Sequence, residues 1–459
     1  MRADAAGGAP PAEPRPRLHV TPSSGWLNDP VGGLVHRDRQ HLFFQYVPAS
    51  TVWRPDCHWG HLVGEDLVRW RHLPVALAPG DGDDGVWSGS AVVDARGPVL
   101  LYTSVLQGHA DIGRIALARP VDGELVGWRK HAGNPVLEAT PDLDLTHFRD
   151  PFVWGRPGAW SLLVGAGLRD GRGAVLRYGS ADLEAWRFRG IFATGATGPA
   201  GAAGGGVGGG IGETWECPQY VDLGGCRALV VSVWRGATLT RVAAALGTER
   251  DGTFGPGDWA TVGHGGSAYA LTTYRDRRGR LAATAWLRHD DGVDRSRSGW
   301  SGLLSLPMLL SAPAGDRLHV APHPDVDTLR VALLGIPDDP AGGAVDLAGD
   351  EATAGVADLE AVLPPGARLR LVTADRPVLL TAAPGGLVVE SAAGITEVPG
   401  ASAALRVVVD RGAVEAWTGD GRWIALRIPH LHVRRAEVEG GGRLAGWRLE
   451  PVQWPAPAP

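Results

Sequence analysis

Short apolar or alternating runs recur along the chain from His19 onward: HLFFQYV at 41–47, VLLYTSV at 99–105, SLLVGAG at 161–167, ALVVSVW at 228–234 and LAATAWL at 281–287. Each has the length of a strand and is bounded by Gly, Pro, Asp or Asn, and no segment keeps a helical period for long. The pattern predicts a mostly β chain. Aromatic and glycine signatures over about 290 residues, with many short strands, fit radially repeated four-stranded blades better than one sandwich. Five blades would average roughly 58 residues with their loops, somewhat above common propeller periods, so spacing alone does not set the blade count. No clean repeat is legible.

Residues 1–16 are rich in Ala, Gly and Pro without periodicity, which predicts a disordered tail outside the fold. The propeller is expected over 17–309. Proline punctuation and a short helix-compatible stretch near Asp325 mark 310–336 as the connection to a second unit. Beyond it ARLRLV at 367–372, LRVVVD at 405–410 and WIALRI at 423–428 alternate by two, predicting an antiparallel β-sandwich over 337–456. Residues 195–212 hold ten glycines in eighteen positions, the composition of a flexible coil. That segment reads as a mobile lid or as an expanded surface loop.

Charge narrows the functional classes. Lys and Arg number 44 against 50 Asp and Glu, a net −6, which gives no broad electrostatic reason to bind nucleic acid or an anionic membrane. The only lysine is Lys130, so a phosphate-cradling GxxxxGK loop is absent, and a Schiff base would have to form at that position. Cys57, Cys217 and Cys226 form no CxxC pair and no zinc-type cluster, so neither a disulfide scaffold nor a metal site is expected. Without an apolar leader-like run or membrane-length stretch, the expectation is a soluble, cytoplasmic protein.

Three acidic segments carry candidate chemistry: Trp26-Leu27-Asn28-Asp29-Pro30, Phe148-Arg149-Asp150-Pro151 and Glu213-Thr214-Trp215-Glu216-Cys217-Pro218. Each sets a carboxylate beside or near a proline, which limits backbone freedom, with an aromatic close by. Alone, an Asp-Pro is a turn in which Asp bonds local backbone. As a set of three they suit glycoside cleavage, which needs a carboxylate nucleophile and a carboxylic acid proton donor.

Together with FFQY at 43–46, HWGHLVGEDLVRW at 58–70, WSGSA at 87–91, YALTTYRDRRGR at 269–280 and GWSGLLSLP at 299–307, these segments resemble glycoside hydrolase family 32, the β-fructofuranosidases. The segments stand in the family's order over 19–309, and LRVVVDRGAVEAW at 405–417 resembles a strand of its C-terminal module. The resemblance implies a five-bladed β-propeller with a funnel-shaped site, followed by a β-sandwich. It also implies Asp29 as nucleophile, Glu216 as general acid/base and Asp150 as the residue that binds fructosyl hydroxyls and stabilises the transition state. Asp29 must then stay ionised while Glu216 holds a proton, and Trp215 and Cys217 are expected to give Glu216 less polar surroundings.

Asn28, Gln45, Trp53, Trp87, Ser88, Arg149, Tyr269 and Trp286 fall at positions similar to the family's sugar-binding set. Trp87 and Trp286 also read as core aromatics, and Arg149 as an ion-pair partner. Cys217 has no histidine near it in sequence and reads as a packing or proton-affinity-tuning residue. His58 and His61 read as structural rather than as metal ligands. The family commonly places Asn after NDP, where this chain has Val31-Gly32-Gly33. The implied activity is retaining hydrolysis of terminal β-D-fructofuranosyl units from sucrose, sucrose 6-phosphate or short fructans, with no cofactor and a small sugar as the partner. Transfer to a sugar hydroxyl, or fructan binding without turnover, are the alternatives. Oligomeric state is not legible.

Overall fold

The computed structural model describes residues 12–195, 211–236, 238–288, 295–335, 343–349 and 353–452. The segment 196–210, which holds most of the glycine-rich stretch, lies outside them. Strands dominate, and five sheets form the blades of a propeller. Blade I is Gly25–His36, Arg39–Val47, His58–Gly64 and Trp70–Leu77; blade II is Gly85–Asp94, Gly97–Val105, Arg114–Pro120 and Trp128–Lys130. Blade III runs Leu145–Arg156, Ala159–Leu168, Gly173–Ser180 and Arg187–Thr194, and blade IV runs Thr214–Asp222, Arg227–Arg235, Thr238–Arg250 and Thr253–Thr261. Blade V combines Ala268–Arg275, Leu281–Leu287, Met308–Ser311 and His319–Pro322. The first strand of each blade is innermost and touches its counterparts on both sides, closing the ring.

Those five inner strands share one irregularity. Pairing to the second strand slips between Leu27 and Pro30, Trp87 and Gly89, Arg149 and Phe152, Glu216 and Gln219, and Tyr269 and Thr272. Such bulges free a residue from the ladder and re-aim its side chain. Asp150, Cys217 and Ala270 have φ of 64°, 46° and 47°, in the left-handed region that non-glycine residues rarely enter. The ring is latched where Trp300–Ser301 pairs in parallel with Gly25–Trp26. Gly302 follows at φ 81°, where any Cβ would collide with the Leu27 carbonyl.

Two further sheets make the sandwich. The larger has the order Gly263–His264, Trp423–Arg427, Ala413–Thr418, Ala404–Asp410, Val356–Val362, Arg443–Leu449, Arg330–Gly335. Its inner face buries Leu359, Val407 and Ile424 against Leu369, Leu380 and Val389 of the six-stranded sheet. Its outer face buries Val408, Trp417 and Trp423 with Leu306 and Met308, so the sheet packs directly on blade V. The alternation at 367–372, 405–410 and 423–428 matches these two-faced strands.

The stretch 310–336 does more than connect. It contains the last strand of blade V and part of the strand before it, a 3₁₀ turn at Pro324–Leu329, and the edge strand Arg330–Gly335 of the sandwich. The tail expectation also needs correction: residues 12–16 belong to the ordered body. The Glu13 carboxylate is buried, bonded by Arg427 and 3.4 Å from Arg295 Nε. Local composition could not reveal partners so distant in sequence. Among the described residues no helix is long and apolar enough to cross a membrane.

Candidate active site

Asp29 lies in the bulge of blade I and is 8% exposed. Its Oδ1 accepts from Asn28 Nδ2 (3.0 Å), and its Oδ2 accepts from Ser88 Oγ (2.6 Å) and Gln45 Nε2 (3.1 Å). Gln45 also donates to Ser88 Oγ. Burial pushes the Asp29 pKa up, the Ser88 bond opposes it, and the nearby Glu216 charge adds to the rise.

Asp150 occupies the corresponding bulge of blade III. Its Oδ2 accepts from the Cys217 backbone N–H at 3.0 Å, and burial, followed by the Glu216 charge, raises its pKa. Cys217 Sγ stands 3.6 Å from Asp29 Oδ2 and 3.5 Å from Asp150 Oδ2, so one thiol bridges the two carboxylates. Burial and three neighbouring carboxylates hold that thiol protonated, which removes it as a nucleophile and makes it a donor.

Glu216 receives a 2.6 Å bond from the Tyr269 hydroxyl and pairs with Arg149 Nε at 2.8 Å. The Arg149 guanidinium is buried, 5.0 Å from the ring of Trp234 and 5.6 Å from that of Trp87. The ion-pair and site readings of Arg149 therefore coincide. The surroundings expected for Glu216 need correction. Successive strand residues face opposite ways, and the Trp215 ring points into the core between blades III and IV, 5.0 Å from Trp259. Polar partners, not Trp215, surround the Glu216 carboxylate.

The remaining aromatics frame these groups. Trp286 packs edge-on to Tyr269 (6.4 Å) and Trp26 (5.8 Å), and Trp53, 42% exposed, packs edge-on to Trp87 at 5.5 Å. Gln45 Oε1, Arg149 Nη2, Trp234 Nε1 and Trp286 Nε1 are buried and have no hydrogen-bond partner among the described residues. A cluster of unmet donors and acceptors between aromatic rings suits a polyhydroxylated ring.

All eleven residues singled out in the sequence stand in this neighbourhood. Sequence reasoning missed Trp234, at the end of the run ALVVSVW, and Thr103, a hydroxyl inside the apolar run VLLYTSV. Val31 packs with Phe43, Trp59 and Val86, so apolar contact fills the position where the family pattern has Asn. His61 bonds His41 at 2.9 Å and stacks on Phe43, whereas His58 bonds the Asp56 carbonyl. Among the described residues no three His, Cys, Asp or Glu side chains are grouped to hold a metal. Lys130 is tied to Asp83 (2.8 Å) and the Gly80 carbonyl (2.7 Å), away from the site.

A ring of five blades whose inner bulges present acidic side chains to one another defines a carbohydrate-active propeller class. The model of the glycosyl hydrolases family 32 N-terminal domain matches residues 19–322, and the chain belongs to glycoside hydrolase family 32. It is 31% identical over 332 residues to a sucrose-6-phosphate hydrolase of Zymomonas mobilis, covering 69% of this chain and 63% of that protein. It is 33% identical to the raffinose invertase of Escherichia coli, covering 69% and 66%. The chain thus spans less than two thirds of the length of these curated relatives. The solved structure of a Bombyx mori GH32 beta-fructofuranosidase superposes with a TM-score of 0.81 at 26% identity, covering 96% of this chain and 95% of that one.

Proposed function

We propose that the protein is a retaining β-fructofuranosidase. Asp29 attacks the anomeric carbon of a terminal fructosyl unit as the bond to the glycosidic oxygen breaks, and Glu216 gives its proton to that oxygen. Water then attacks the fructosyl-enzyme, Glu216 takes the water's proton, and free fructose leaves with Asp29 restored. Asp150 holds ring hydroxyls and offsets charge at the oxocarbenium-like transition state. Asn28, Gln45 and Ser88 orient Asp29, Arg149 and Tyr269 orient Glu216, and Trp53, Trp87 and Trp286 face the sugar.

One observation carries this reading: the carboxylates of Asp29 and Asp150, from segments far apart in sequence, converge on Cys217, the residue that follows Glu216. The names of the relatives, sucrose-6-phosphate hydrolase, raffinose invertase and levanase, point to sucrose, its 6-phosphate or fructans as substrates. The test is reducing-sugar release from sucrose, sucrose 6-phosphate, inulin and levan. Release should be abolished in both Asp29→Asn and Glu216→Gln while the thermal midpoint persists. Activity in either variant refutes the role of the residue replaced, silence of the wild type on all four favours binding without turnover, and oligosaccharides growing at high sucrose indicate transfer.

A further inference from the structure

We propose that Thr103, on the second strand of blade II, is the positioning residue that fixes the Asp150 turn; the inference rests on the role of Asp150 in the proposed fructosidase. Thr103 is fully buried. Its hydroxyl donates to the Ser88 carbonyl at 2.9 Å and accepts from the Asp150 backbone N–H at 2.8 Å. Ser88 is the residue whose Oγ bonds Asp29. One hydroxyl therefore joins the bulge that orients Asp29 to the bulge that presents Asp150.

Asp150 requires such a hold. Its φ of 64° is unfavourable for a side chain with a Cβ, and it persists only where surrounding bonds over-determine it. Blade II grips the turn a second time, because Ser90 Oγ donates to the Pro151 carbonyl (2.8 Å) and accepts from Val153 N–H (3.1 Å). On the far side the Asp150 carboxylate accepts from Cys217, next to Glu216. The hydrogen bonds thus run from Asp29 through Ser88, Thr103 and Asp150 to the segment bearing Glu216. Valine at 103 would keep the shape of the side chain but leave the Asp150 N–H buried and unpaired, which favours rotation of the strained turn.

The experiment compares wild type, Thr103→Val, Thr103→Ser, Asp150→Asn and the Thr103→Val/Asp150→Asn double variant on the best fructoside, far below their thermal midpoints. Thr103→Val should lose about tenfold or more in kcat, the order expected for one buried, unpaired donor at a positioning bond. Thr103→Ser should recover most of it, and the double variant should fall no further than Asp150→Asn alone. A kcat within twofold of wild type for Thr103→Val, or losses that multiply in the double variant, overturns the positioning role. An inert wild type sinks the functional reading instead. In that case a crystal structure of Thr103→Val decides: the Asp150 carboxylate should be displaced, and an unmoved carboxylate overturns the inference whatever the activity.

Discussion

His19 offers a quantitative test of how the propeller is fastened to the sandwich. Its Nδ1 lies 2.8 Å from Asp410 Oδ2 and its Nε2 3.0 Å from Glu415 Oε1, with all three side chains sealed from solvent. Asp410 also accepts the N–H groups of Arg17, Leu18 and His19, while Glu415 accepts those of Leu306 and the Trp423 indole. Burial alone would lower the histidine pKa, but the two carboxylates outweigh it and raise the value from 6.5 to about 9. The folded protein therefore holds this proton more tightly than the unfolded chain does. The stabilisation is complete below about pH 6.5 and is lost as pH climbs through about 9. At ~1.4 kcal/mol per unit the swing is ~3 kcal/mol. With an unfolding entropy of ~2 cal/mol/K per residue, a chain of this length should lose only ~3 °C of thermal midpoint across that window. The assay is the midpoint of wild type and His19→Gln at pH 6.5, 8 and 9.5, read at one scan rate because large proteins unfold irreversibly. The wild type should fall by that amount relative to the variant. Equal pH slopes in the two proteins would refute this proton linkage. If His19→Gln does not fold, Glu415→Gln, which keeps an acceptor for Leu306 and Trp423, should fold and show a shallower slope.

Other outcomes are equally direct. Native protein treated with iodoacetamide at pH 8 should be alkylated at the half-buried Cys226 and spared at Cys57 and Cys217, whose thiols burial pushes up; early modification of Cys217 by peptide mass mapping would contradict the site described. Because burial and Glu216 raise the Asp150 pKa from 3.8 to about 7, the unfolded chain releases this proton before the folded one does, so the cost to the fold builds up across that window and is complete above it; Asp150→Asn should therefore raise the thermal midpoint at pH 8 with little gain at pH 4. A midpoint gain equal at both values would show that charge is not the cause. Gly302→Ala should destabilise by about 2–4 kcal/mol or prevent soluble expression, because the new Cβ meets the Leu27 carbonyl at the latch; a midpoint within a degree of wild type would mean the latch yields freely.

Strand periodicity is legible because each run alternates or is apolar throughout, and the three acidic motifs are legible because proline and aromatics surround them. The repeat itself is not. What recurs from blade to blade is a slip in backbone pairing, and it is written with unrelated residues: Asn28-Asp29, Ser88, Asp150-Pro151, Cys217-Pro218 and Ala270-Leu271. A register event of this kind leaves no residue pattern to align. Trp215 misleads because closeness in sequence on a strand means opposite faces, while Trp234 and Thr103 escape notice because their partners, Arg149 and Asp150, lie in another blade. Glu13 fails for the same reason at longer range, since its partners Arg295 and Arg427 sit in the far half of the chain.

The amino-terminal strap also sets a schedule for synthesis. The bond from the Arg17 N–H to Asp410 spans 393 positions, and the Arg17 carbonyl accepts from Val452. Blades can fold one after another as they leave the ribosome, since each is a local meander. Residues 17–19, by contrast, have no seat until Asp410 and Val452 have emerged, and the parallel latch at Gly25–Trp26 waits for Trp300–Ser301. A nascent chain stalled before residue 400 would therefore carry blades whose amino-terminal strap still lacked Asp410 and Glu415, and chaperones would meet that intermediate.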